Sequence, residues 1–261
     1  MSKKFCVLTY GRSGSTSFMS ALEKFPDIAV PNKNIRCFDN ELLHPNYVEE
    51  YLVEYSKLCG KEIGSASQLI ENFFLFNAGV AWAGFKTMPR RHPDFRSFMR
   101  RKDIQFIILT RESIPSMIAS LFLAQSVGCW RRSGEPQPQL WRFNPSTDGP
   151  SVLGLVSRTR RHNILFDRIQ NALRIKYEDL CNENFNSSDV NDFFERRIGL
   201  ENVRPPVCGS QYVLNWPEFV EFVDNAYESN LTILDRNAGS KARPLVHVDR
   251  HQLSETRDIS E

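Results

Sequence analysis

The sequence predicts an α/β domain built on a central parallel sheet flanked by helices. Three observations predict it. Near-continuous apolar runs recur along the chain at 5–9 (FCVLT), 80–86 (VAWAGFK) and 105–110 (QFIILT), as expected of strands buried on both faces. Helical spacing of apolar residues follows the first and third of them. Strands that alternate with helical segments form parallel sheets through crossover connections.

In chain order, the 5–9 run leads into Gly11-Arg12-Ser13-Gly14-Ser15-Thr16, after which Phe18, Leu22 and Phe25 recur on one helical face, the helix starting near Thr16. The 80–86 run is the second strand. The 105–110 run is the third, and Ile114, Met117, Ile118, Leu121 and Leu123 continue it as a helix. Residues 173–177 alternate apolar and polar side chains and form a fourth strand. The Pro- and Gly-containing stretches 131–150 and 236–250 read as surface excursions, and the last dozen residues as a polar tail. With no internal repeat or composition break, the 261 residues divide into one domain over 1–235 and a polar C-terminal extension over 236–261.

Composition narrows the function. Hydrophobic residues make up 41% and charged residues 25%, enough for a substantial core and incompatible with disorder. A net charge of +2 is too balanced for a protein that coats nucleic acid. No run approaches the ~20 apolar residues of a membrane span, and the N-terminal apolar run is too short for a signal peptide, so a soluble, cytoplasmic chain is expected. Cys6, Cys37, Cys59, Cys129, Cys181 and Cys208 include no CxxC pair and no zinc-like spacing with histidine, so neither a metal nor a disulfide framework is expected.

The chemistry centres on residues 10–17. Gly11 and Gly14 let backbone N–H groups converge, Ser13, Ser15, Thr16 and Ser17 add hydroxyls, the helix N-terminus contributes its dipole and Arg12 a fixed charge. Such a loop suits a phosphate- or sulfate-like group; the alternative is an exposed turn that caps a helix. Walker A is absent because Ser15 stands where its lysine belongs, and neither GxGxxG nor GxSxG fits.

The segment Thr9-Tyr10-Gly11-Arg12-Ser13-Gly14-Ser15-Thr16 resembles the 5′-phosphosulfate loop of sulfotransferases that use 3′-phosphoadenylyl sulfate (PAPS). That loop reads TYPKSGTT in the cytosolic enzymes and RSGST in bacterial carbohydrate enzymes. Phe25-Pro26-Asp27-Ile28 and Asn40-Glu41-Leu42-Leu43 resemble the nodulation-factor and trehalose branch. Gly84-Phe85-Lys86-Thr87-Met88-Pro89 is similar to the second strand motif, and Leu109-Thr110-Arg111 through Ser120 to the 3′-phosphate motif. Tyr177-Glu178-Asp179-Leu180 and Asn215-Trp216-Pro217-Glu218-Phe219 match elements late in these chains, so the likeness extends over about 5–219 in the family's order.

The resemblance implies a P-loop-like sulfotransferase fold and transfer of a sulfonate from PAPS to a hydroxyl of a small molecule or carbohydrate, with PAP released and no metal required. It assigns Arg12 to the leaving bridging oxygen, Lys86 to the sulfonate, and Ser13 to Ser17 to the phosphosulfate. It assigns Arg111 and Ser120 to the 3′-phosphate. For Arg111 the alternative is an ion pair with Glu112 or another acid, and the helical register equally allows Ser113 or Ser116 in place of Ser120.

The cytosolic enzymes carry a histidine base where this chain has Met88, which accepts no proton. The branch with an ELL element uses a glutamate, which assigns the base to Glu41, with His44 three residues on as the alternative. Other expectations are weaker in pattern. Arg90, Arg91, Arg96, Arg100, Arg101 and Lys102 read as a solvated helix face, and one of Arg158, Arg160 and Arg161 as a further 3′-phosphate contact. Trp130, Trp141 and Trp216 are candidates for stacking on a ring or for ordinary packing. Irregular segments around 31–60 and 125–150 are expected to shape the acceptor pocket. The competing functions are a P-loop-type phosphotransferase and a non-catalytic module that binds PAPS or PAP.

Overall fold

A computed structural model describes residues 2–31, 41–44, 48–89, 95–127, 140–182, 188–198 and 211–238. Five parallel strands form one sheet: β1 (Lys3–Thr9), β2 (Ile28–Ala29), β3 (Trp82–Thr87), β4 (Ile104–Thr110) and β5 (Leu173–Lys176), in the order β2-β3-β1-β4-β5. The α/β reading with a parallel central sheet is therefore correct. β1 lies at the centre, with Val7 opposite Lys86 of β3 and Ile107 of β4.

Alternation along β1 sorts its side chains onto two faces. Phe5 and Val7 join Trp82, Ile107 and Leu109 under α1 (Ser15–Leu22) and a later helix, α8 (Ser188–Phe194). Cys6, Leu8 and Tyr10 join Phe85, Phe106 and Ile108 on the other face. That second face is covered by α2 (Val48–Cys59), α3 (Ala66–Phe76), α5 (Ile114–Val127) and α6 (Gly149–Asp167), with the short α4 (Phe95–Phe98) beside them. Each fully buried Phe or Leu contributes roughly 1.5–3 kcal/mol, which makes the two-sided burial the main force holding the sheet. The chain leaves β1 toward one face through α1 and leaves β4 toward the other through α5. Their loops diverge at the carboxyl edge, which is where open α/β sheets bind ligands.

Several boundaries differ from the sequence reading. The second strand begins at Trp82 and takes in Thr87, and the fourth ends at Lys176 because Tyr177 opens α7 (Tyr177–Leu180). The helix after the first loop starts at Ser15. The expected irregular segment 31–60 contains α2, and 125–150 contains the end of α5 and the start of α6. Nor is 131–150 simply a surface excursion: Trp141 pairs with Val213, and Phe143 is buried. Asn215 holds that segment in place by accepting from the Phe143 N–H and donating to its carbonyl, both at 2.9 Å. Trp141 stacks on Phe122 and packs against Phe219, so its ring serves the core. Trp216 likewise packs on Phe219. Arg101 is not part of a free helix face but pairs with Glu71 and Asp103, and α4 buries both of its phenylalanines. Arg90, Arg91, Trp130 and the tail beyond Ala238 lie outside the described residues.

The last described element is α9 (Trp216–Ala238). The chain separates into one unit over Met1–Tyr227 and another over Glu228–Glu261. Among the described residues no helix is long and apolar enough to cross a membrane.

Candidate functional site

The loop after β1 is fixed by its own side chains. Ser13 is fully buried and its hydroxyl donates to the Tyr10 carbonyl at 2.8 Å while also bonding to Thr9 Oγ1. Ser13 therefore shapes the loop rather than presenting its oxygen to a ligand. Arg12 and Gly14 both adopt positive φ, 67° and 77°. At Gly14 no side chain fits: a Cβ would stand 1.9 Å from Cδ2 of Tyr177. Arg12 carries a Cβ in a conformation that costs an L-residue about 1–2 kcal/mol. It is held there by Nε donating to Ser120 Oγ at 2.9 Å and by its carbonyl accepting from Arg111 Nη1 at 3.3 Å.

Gly14 is the N-cap of α1, and no side chain caps that helix from the N-cap position. The exposed Thr16 and half-buried Ser17 lie in its first turn, with Ser15 buried beneath them. Lys86 reaches the same turn from β3. It is 3% exposed, and Nζ donates to Thr16 Oγ1 at 3.0 Å.

Arg111 follows β4 and is 5% exposed. Tyr10 clasps its peptide: the phenol accepts from the Arg111 N–H at 2.9 Å and donates to the Arg111 carbonyl at 3.3 Å. Burial raises the Tyr10 phenol well above its ordinary pKa, so it stays protonated and able to donate. The guanidinium pairs with Glu178 at 3.5 Å and lies over the Tyr177 ring, 6.0 Å from its centre. Glu178 in turn accepts from the Glu112 N–H at 2.8 Å at the start of α5. Burial pushes the Tyr177 phenol up to about 12. An ion pair of Arg111 with an acid is thus present, and the acid is Glu178; Glu112 pairs with Lys176 instead.

The three candidate serines, Ser113, Ser116 and Ser120, differ in their contacts. Ser113 and Ser116 hydrogen-bond to each other at 2.9 Å, and Ser120 is the one that meets Arg12.

Glu41 is 2% exposed and sits beside Leu42 and Leu43, which are core residues. Leu42 and Leu43 pack in the cluster on the face of β1 that carries Cys6, Leu8 and Tyr10, and the Glu41 charge adds to burial in raising the Cys6 thiol. Lys86, in register with Val7, extends from β3 toward the first turn of α1. His44 is half-buried and donates its backbone N–H to the Glu41 carbonyl at 3.2 Å.

The structure therefore brings together Arg12, Gly14, Thr16, Lys86, Arg111 and Ser120. Sequence reasoning gave no role to Tyr10, Tyr177 or Glu178. Tyr10 stood in the loop motif, and Tyr177 and Glu178 in a later one, but what each of them does needed the fold. The arrangement offers a helix N-terminus without a side-chain cap, three cations at the carboxyl ends of adjacent strands, and backbone N–H groups in a left-handed loop. That is the chemistry of an oxyanion site. Comparison with family models, with curated proteins and with solved structures found no match.

Proposed function

We propose that this chain is a PAPS-dependent sulfotransferase of P-loop-like fold that transfers a sulfonate to a hydroxyl of a small molecule or carbohydrate. One observation carries the reading: Arg12, Lys86 and Arg111 gather around the first turn of α1, where Arg12 bonds Ser120 and Lys86 bonds Thr16. PAPS has a 5′-phosphosulfate and a separate 3′-phosphate, so it needs two anion positions. The loop with Lys86 fits the first, and Arg111 with Ser120 fits the second.

When bound, PAPS supplies the activated sulfonate. The acceptor oxygen forms a bond to sulfur as the bond from sulfur to the bridging phosphate oxygen breaks, and that electron pair leaves with PAP. Arg12 compensates the charge that grows on the departing oxygen and stays protonated throughout. Lys86 neutralises the sulfonate oxygens, and Glu41 takes the acceptor proton. Preorganised donors of this kind contribute ~10²–10³ in rate each.

A second reading is favoured by one contact. Lys86 delivers an ammonium group to Thr16, close to where a Walker lysine would act, so a phosphotransferase with a displaced lysine fits the same loop. Ligand choice separates the two. PAP at ~100 times its Kd is expected to add about 2.7 kcal/mol, a rise of roughly 5–10 °C in Tm, with ATP and magnesium giving much less. Equal shifts, or a shift with ATP alone, would reject the sulfotransferase reading.

Arg111 is tested by a pair of ligands. In Arg111→Ala the affinity for PAP should fall by about 1.5–3 kcal/mol, whereas adenylyl sulfate, which lacks the 3′-phosphate, should bind nearly as before. Equal losses for both would limit Arg111 to holding Glu178 and the Arg12 carbonyl.

A further inference from the structure

Two buried polar groups on α6 are not used by the chemistry above. Arg160 is 2% exposed, and its Nε and Nη1 are shut off from solvent with no hydrogen-bond partner. Asn163, one turn along α6, donates Nδ2 to Tyr227 Oη at 2.9 Å, yet its Oδ1 is buried without a donor. Residues three apart share a helical face, so the guanidinium and the amide oxygen belong to one locus. One lacks acceptors and the other lacks a donor, and they do not satisfy each other.

A buried guanidinium without a counter-charge is among the costliest features a fold can carry, and a neutral partner does not repair it. A bound anion would supply both the missing acceptors and the charge. The locus adjoins the loop after β1: Phe166, one turn beyond Asn163, stacks on Tyr10, and Tyr227 lies close enough to Tyr10 to raise its pKa.

We infer that Arg160 and Asn163 form a third oxyanion position, which takes a carboxylate, sulfate or phosphate carrying a hydroxyl beside it. The anion meets Nε and Nη1 of Arg160, and the hydroxyl donates to Asn163 Oδ1. The source follows if the sulfotransferase reading holds, on which this part rests. The two anionic ends of the donor are then already matched by the loop and by Arg111 with Ser120, so the third position serves the acceptor. The acceptor is an acidic hydroxy compound such as an acidic sugar, not a neutral one.

The test uses the full chain saturated with PAP and the probes sulfate and D-glucuronate, with chloride at equal ionic strength and D-glucose as controls. Both probes should raise Tm saturably above their controls. Arg160→Met and Asn163→Asp should weaken apparent probe affinity at least ~10-fold while PAP affinity stays within about twofold. Arg160→Met should be as stable as the parent or more so, because it removes an unpaired buried charge, and Asn163→Asp should gain stability by supplying that charge from within. Equal probe responses in all three proteins would overturn the site. A loss of PAP affinity in Arg160→Met would move the arginine to the donor and overturn the acceptor assignment. Failure of PAP to bind, with an Arg160-dependent sulfate response intact, would remove the sulfotransferase reading and leave the oxyanion site standing.

Discussion

Gly14→Ala is expected to lower Tm by about 10 °C and to weaken PAP binding at least ~100-fold. The φ of 77° alone costs an alanine about 1–2 kcal/mol. The larger difficulty is Tyr177, whose Cδ2 and Cε2 would lie 1.9 and 2.0 Å from the new methyl group. The ring must move, and overpacking of this kind costs roughly 1–3 kcal/mol. A total of about 2–5 kcal/mol corresponds to some 2–4 °C per kcal/mol in a chain of this size. The effect on binding exceeds the effect on folding because Tyr177 carries Glu178 and underlies Arg111. The double variant with Tyr177→Ala should recover the overpacking part but not the φ part. A Gly14→Ala protein with parental Tm and PAP affinity would show that the loop is not the anion site.

Glu41→Gln should cut sulfonate transfer at least ~100-fold while PAP affinity remains nearly intact. An acceptor hydroxyl must lose its proton as the new sulfur–oxygen bond forms, and a positioned carboxylate contributes ~10²–10⁴. Glutamine keeps the size and the hydrogen bonding but lacks the basic oxygen. The other groups around the loop do not substitute, since Arg12 keeps its proton and Met88 accepts none. Labelled PAPS with a true acceptor gives the measurement, and intact PAP binding separates a chemical loss from misfolding. Turnover within a few-fold of the parent in a folded Glu41→Gln protein would transfer the role to His44.

The sheet was legible because its strands are buried on both faces. The runs at 5–9, 80–86 and 105–110 have no competing helical period, and each lies within two residues of an observed strand. β2 has only two residues, too few for any periodicity, and its place comes from Trp82 donating its N–H to the Asp27 carbonyl beside it. The helix α2 was hidden by charged residues on its exposed side; only Tyr51 and Tyr55, one turn apart, mark its buried side strongly. At the site, Arg12, Gly14 and Lys86 followed from motif chemistry. That Ser120 meets Arg12 and Tyr177 packs on Gly14 did not, because both contacts come from packing across more than a hundred residues of chain. Arg160 shows the same limit in reverse: in the sequence it is one arginine of a basic cluster, and only burial distinguishes it from Arg158 and Arg161.

The carboxylate of Glu178 gives the site a built-in rival. Arg111 already faces a negative charge that is also anchored on the Glu112 N–H. Any incoming anion therefore trades one ion pair for another, and its net gain is the difference between two similar energies. A weakly coordinating monoanion such as chloride gains nothing from the trade, whereas a phosphate dianion with three oxygens outbids a single carboxylate. Were Arg111 to hold the 3′-phosphate as proposed, the cell's abundant small anions would thereby be kept off it at the expense of some affinity for the proper ligand. Occupancy there would become a measure of charge density and geometry together, and the pair would work as a filter on what enters.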